Sequence, residues 1–168
     1  LEPSASCPQL EAVWEEYQKP VSIEDEVLGT LKLNRDFGLL DGEILWNGEK
    51  VSLALEIDLD DEETWDTARS IAHKVMADRE SWDKSMREFA AKKLTELANE
   101  WQADDDEKEN ADPITEDAFA QRITLSELSL TYEGDFTAYF DDDDMFWGHT
   151  VEVCGSLENG IESANIAG

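Results

Sequence analysis

Residues 139–153 read Tyr-Phe-Asp-Asp-Asp-Asp-Met-Phe-Trp-Gly-His-Thr-Val-Glu-Val, and the fold turns on how this stretch is interpreted. The four consecutive carboxylates Asp141, Asp142, Asp143 and Asp144 cannot be buried together, because each ionised group withdrawn from water needs a partner of its own. Before them, Phe136-Thr137-Ala138-Tyr139-Phe140 alternates like a half-buried strand, and after them Phe146 to Val153 is the densest apolar and aromatic block of the chain. The pattern predicts an acidic loop between two strands that enter a core. Alternation then places Trp147 and His149 on one face of the second strand, with Trp147 buried.

Working outward, Ile123-Thr124-Leu125 leads into a further alternating run, Leu128 to Tyr132, and Gly134-Asp135 supplies the turn before Phe136. Leu157 to Gly168 reads as an edge strand or a tail. Towards the other end of the chain, Val27 to Leu33, Gly42 to Trp46 and Val51 to Ile57 form three strands, and Asn47-Gly48 is a two-residue hairpin signal because both positions tolerate positive φ. Between the two strand groups the period becomes helical. Trp65, Ala68, Ile71, Ala72, Val75 and Met76 share one face, with acidic residues before them and Lys74 and Arg79 late in the helix, matching its dipole. Ser81 is the expected cap of a second helix whose stripe is Trp82, Met86, Phe89, Ala90, Leu94, Leu97 and Trp101. Ala103 to Pro113 carries six carboxylates and reads as an exposed loop. Thr115 is the expected cap of a short third helix, with Ile114 and Phe119 spaced as a hydrophobic staple.

The expected fold is α+β: an antiparallel sheet of about six strands from two meanders, in the order β-β-β-α-α-α-β-β-β. A helical hairpin, Thr64 to Trp101, packs on one face through Trp82, Phe89 and Trp101. Residues 1–26 form an N-terminal helix or arm, with Leu10, Val13, Trp14 and Tyr17 at helical spacing before Pro20, and residues 27–168 form a single domain.

Composition narrows the function. The chain has 168 residues, 40% of them hydrophobic, and a net charge of -29, so it holds enough apolar material for one core despite its acidity. The charge is uneven: Arg69 to Trp101 carries seven basic and six acidic residues, whereas all other segments together carry 36 acidic and six basic ones. Such a field repels nucleic acid and attracts basic partners. Cys7 and Cys154 build neither a disulfide framework nor a zinc site, and there is no apolar run near 18 residues, so no membrane span is expected. A cytoplasmic setting is expected. The chain starts at Leu1 rather than Met, which leaves room for an upstream segment.

No catalytic, metal or cofactor site is expected. His149 reads as an imidazole satisfied by a backbone carbonyl and His73 as a helix-boundary residue, since neither has a nucleophile or ligand partner at a meaningful spacing. Asp58, Asp60 and Glu62 have the first three spacings of a calcium loop, but Glu63 stands where glycine is required and Arg69 where the final glutamate belongs. Chain direction suggests instead that Asp58, Asp60, Asp61, Glu62 and Glu63, with Asp104, Asp105 and Asp106 and with Asp141 to Asp144, share one rim that binds a partner.

Gly29-Thr30-Leu31, Ile44 to Gly48, Leu97-Ala98-Asn99-Glu100-Trp101, Ile114-Thr115 to Phe119, and above all Asp144-Met145-Phe146-Trp147-Gly148-His149 resemble the bacterial domain-of-unknown-function family DUF2262. The resemblance spans roughly residues 27–168, with Phe146, Trp147, Gly148 and His149 as its most specific structural motif. It implies an α+β domain without an assigned activity and brings no catalytic residues. The expected function is a non-enzymatic acidic protein, most concretely an immunity or inhibitor protein blocking a basic, nucleic-acid-acting partner. The alternatives are a DNA mimic directed at a defence system, a hydrolase or metal-binding domain using His149 and nearby acids, and a housekeeping domain adapted to high salt.

Overall fold

Two four-stranded meanders, joined edge to edge, make one eight-stranded sheet. The structure, a computed structural model, describes residues 20–108 and 110–167; the helix expected at Leu10 to Tyr17 lies outside the described residues. The first meander is β1 (Ser22–Asp25), β2 (Gly29–Asn34), β3 (Leu39–Trp46) and β4 (Glu49–Glu56). Helices α1 (Glu62–Ala77), α2 (Arg79–Ala103) and α3 (Glu116–Arg122) follow, with a 3-10 turn at Asp106–Lys108 between the last two. The second meander is β5 (Thr124–Thr131), β6 (Asp135–Asp141), β7 (Thr150–Ser156) and β8 (Gly160–Ala167).

The class is thus α+β and the sheet mostly antiparallel, but it has eight strands rather than six. β1 falls in the segment read as an arm: Ser-Ile-Glu-Asp is too short and polar to show a pattern, and its pairing with β2 makes it a strand. β8 pairs with β7 along its whole length. Strand order in space follows sequence order, and every pair is antiparallel except β4 with β5, which run parallel. A parallel pair needs a crossover, and all three helices serve as that crossover.

One face of the sheet is buried. Leu53, Leu128, Ala138, Val153 and Ala164 form a continuous cross-strand row, and each is at least nine-tenths buried. Leu125 and Leu128 are three apart, which breaks the period of two, but a register shift between Leu125 and Glu127 returns both to the core face. Gly155 leaves space for the β8 backbone and for an aromatic ring: a Cβ there would run into the Gly160 carbonyl and come within 2.9 Å of Phe136, whose ring meets Trp82 edge-on with centroids 5.3 Å apart.

α1 packs on β4 and β5, and Ala68, Ile71, Ala72, Val75 and Met76 are its buried line. α2 follows after a single residue, Asp78, which takes the N-cap position without a side-chain capping bond, and the expected cap Ser81 lies inside the helix. The two helices make little direct contact. α2 lies instead against α3 and β8, and its buried line is Met86, Ala90, Ala91, Leu94, Thr95 and Ala98. Small residues on that line let the backbone approach closely and push the large ones to the flanks, so Trp82, Phe89 and Trp101 are only half-buried. Phe89 lines an open groove of about 570 Å³ bounded by Ser85, Lys92, Asp117, Ala120 and Ile161. Asp83 holds this arrangement to the sheet, accepting from the indole of buried Trp46 at 2.9 Å and from Arg87 at 2.8 Å. Arg87 also donates to the carbonyls of Ala120 and Ile123 at the end of α3. The start of α3 is capped as its sequence predicts: Thr115 accepts from the Ala118 N–H, and Ile114 and Phe119 are both buried.

Candidate functional site

The link from β6 to β7 is a tight turn organised by one carboxylate. Asp142 is 3% exposed; its Oδ1 accepts the Asp144 N–H at 3.1 Å and its Oδ2 accepts those of Phe146 at 2.8 Å and Gly148 at 3.1 Å. Three charge-assisted bonds on one buried group hold a backbone that bends through the left-handed region at Asp143 (φ 48°), Asp144 (φ 62°) and Trp147 (φ 58°). This corrects two expectations. Asp142 faces inward and has no surface to offer a partner. Residues 146–149 are not strand, and Trp147 is 52% exposed, because alternation does not carry through a left-handed turn that sends Phe146 into the core and Trp147 out.

His149 is half-buried; its backbone N–H donates to the Phe146 carbonyl at 3.2 Å and its Nδ1–H donates to the same oxygen at 2.7 Å. From the last turn of α2, Trp101 reaches into this turn. Its ring centroid lies 5.5 Å from that of Phe146 and 5.4 Å from that of His149, both edge-on, and 4.7 Å from that of Trp147 at a tilt of 51°. Phe146, fully buried, anchors the cluster, and Trp147 is its open rim.

Carboxylates gather at the same end of the sheet. Lys108 Nζ stands 3.9 Å from Asp105 and 4.0 Å from Asp144, so the acidic run after α2 and the run after β6 meet at one end of the sheet. Arg122 pairs with Asp143 at 2.8 Å and also donates to its carbonyl. The loop carrying Asp104 to Asp106 is clipped in place, since Asn99 exchanges two hydrogen bonds with the backbone of Ile114 and Gln102 donates to the Asp112 carbonyl. Asp104, Asp106, Asp141, Asp143 and Asp144 remain exposed.

The third run is elsewhere. β5 is parallel to β4, so it ends, with Thr131 beside Glu56, at the edge from which Asp58 emerges; β6 then returns and leaves Asp141 beside Thr124 at the other. At about 3.3 Å per residue the two edges are roughly 20 Å apart. The single rim expected from chain direction is therefore two separate ends, because the helical crossover carries the chain back before β5 begins. At the Asp58 end the carboxylates build the start of α1: Asp61 caps it through the Glu63 N–H at 3.1 Å, and Asp58 accepts from the Asp60 N–H at 2.9 Å.

A further cluster was absent from the sequence reading. The Asp25 side chain is buried and accepts from the Val27 and Leu28 N–H groups, from Arg69 Nε at 3.0 Å and from His73 Nε2 at 2.8 Å. Burial alone would raise its pKa, but the Leu28 and Val27 amides, His73 and Arg69 outweigh that and hold it at about 2, below the ordinary 3.8. The only hint was an Asp followed by a turn. Its partners lie 44 and 48 residues away. The described hydrogen bonds of His73 run only to Asp25, so this pair ties β1 to α1 and presents no held nucleophile. Among the described residues no three His, Cys, Asp or Glu side chains are placed to hold a metal ion, and no helix is long and apolar enough to cross a membrane.

The molecule is an α+β domain whose sheet runs in sequence order and whose surface carries an exposed tryptophan among carboxylates. Residues 25–166 match the model of a family described as an uncharacterized protein conserved in bacteria (DUF2262), and the chain belongs to that family. No curated protein and no solved structure matches it.

Proposed function

We propose that the protein is a non-enzymatic binding protein that engages a basic protein partner at the Asp141 end of the sheet, in the manner of an immunity or inhibitor protein. The observation that carries this reading is the juxtaposition there of two acidic runs with a half-exposed tryptophan, Trp147. Carboxylates give long-range attraction and orientation, and an aromatic side chain beside them gives short-range area of the kind that anchors interfaces. The hydrogen bonds found for His149 and His73 occupy them structurally, which favours binding over hydrolysis.

The test separates this end from the overall field of the molecule. Octalysine binding is measured at low salt for two variants that remove the same four charges: Asp104, Asp106, Asp141 and Asp144 changed to Asn, and Asp58, Asp60, Glu62 and Glu63 changed to Asn or Gln. The first set should weaken binding about tenfold more than the second, equivalent to about 1.4 kcal/mol. Equal losses would mean that only net charge matters and that the Asp141 end is no site.

A further inference from the structure

We infer that Trp147, backed by Trp101, is a receptor for an arginine side chain of the partner. This rests on the binding reading above and gives it a chemical specificity. An indole that is half open to solvent and braced by a second indole, with centroids 4.7 Å apart at a tilt of 51°, is a fixed planar surface. Its backbone is pinned on both sides by the Asp142 carboxylate, through the Phe146 and Gly148 N–H groups, so little ordering is required on binding. Asp144, whose backbone carbonyl accepts the Trp147 N–H at 3.4 Å, is 76% exposed in its side chain and shares only a distant contact, 4.0 Å, with Lys108. A partner that fills this place must cover an aromatic face and satisfy a carboxylate at once. An aliphatic residue does the first and leaves the acid desolvated; an ammonium does the second but keeps its hydration. A guanidinium does both, because it is planar, weakly hydrated, stacks on aromatic rings and donates in a fork to a carboxylate.

The surrounding charge agrees with this occupant. Asp104 and Asp106 on the loop after α2 and Asp141 at the end of β6 are exposed, and among the described residues Lys108 and Arg122, the cations paired with these two runs, are already engaged by Asp105 and Asp143. A cationic segment is drawn to this end, and the indole then selects among cations.

Octaarginine and octalysine binding is compared at physiological salt for the unaltered protein, Trp147→Ala and Trp147→Phe. Octaarginine should bind about fivefold or more tightly than octalysine to the unaltered protein, the size expected of an exposed cation–aromatic contact repeated within a flexible peptide. Trp147→Ala should shrink that preference to about twofold, whereas Trp147→Phe, which keeps a ring, should retain most of it. Thermal unfolding of the variants checks that the turn survives. A preference unchanged in Trp147→Ala overturns the inference, as does its absence from the unaltered protein. If octalysine binding still depends on the Asp104, Asp106, Asp141 and Asp144 set in that case, the binding reading stands and only the arginine receptor falls. If that dependence is missing as well, both fall.

Discussion

Asp141 and Asp142 are neighbours in sequence with opposite fates, one exposed and one turned inward to hold three backbone amides. Nothing in a run of four identical residues says which member points in, because direction is set by turn torsions that arise only once Phe146 is buried. Asp25 makes the same point with distant partners. Its depressed pKa has a measurable consequence. The folded value of about 2 lies below the ordinary 3.8, so the ionised group stabilises the fold above about pH 4, and this contribution is lost as pH falls towards 2. A shift of this size corresponds to about 2 kcal/mol. The stability gap between the unaltered protein and Asp25→Asn, measured by urea unfolding, should therefore narrow by about that amount between pH 5 and pH 2. A gap of constant size would show that the Asp25 charge is not what Arg69 and His73 hold.

Elements were legible where a local signal was strong. Asn47-Gly48 forms its hairpin with positive φ at both residues, and Thr115 caps α3 as its spacing requires. The helical stripe of α2 was legible as a face but not in its depth. Periodicity ranks large apolar residues as core, whereas the structure buries Ala90, Ala91 and Ala98 and leaves Phe89 beside an open groove. Two substitutions follow from this. Phe89→Ala should cost about 1–2 kcal/mol, since the ring is only partly buried and borders an open groove, while Met86→Ala, at a site 1% exposed, should cost about 2–4 kcal/mol. Denaturant unfolding of the pair checks it, and a larger loss for Phe89 than for Met86 would reverse the assignment of the buried line.

At the scale of the whole molecule, the class and the two strand groups could be read from alternation, but the parallel junction of β4 with β5 could not. Strand periodicity is the same for either direction, and only the path of the helices decides it. That junction explains why the Asp58 and Asp141 runs part company. Apart from Asp142, the acidic runs lie at the surface as expected, and their grouping failed at this one step.

The β4–β5 junction also sets the order in which the chain assembles. Every other strand pair is closed by a short turn, so each meander can zip up from local hairpins, whereas β4 and β5 are joined through residues 57–123. Closing a segment of that length costs about 3 kcal/mol more than closing a two-residue turn, at ~0.6 kcal/mol per doubling. Closure of this junction is therefore expected to be the slow step, with its contacts formed in the transition state. Stopped-flow chevrons would read this directly. Leu128→Ala, which removes the partner of Leu53 across the junction, should slow refolding, whereas Ile161→Ala in the terminal β7–β8 hairpin should mainly speed unfolding. The opposite pattern would mean that the edge hairpin, and not the junction, is the nucleus around which the rest of the chain condenses.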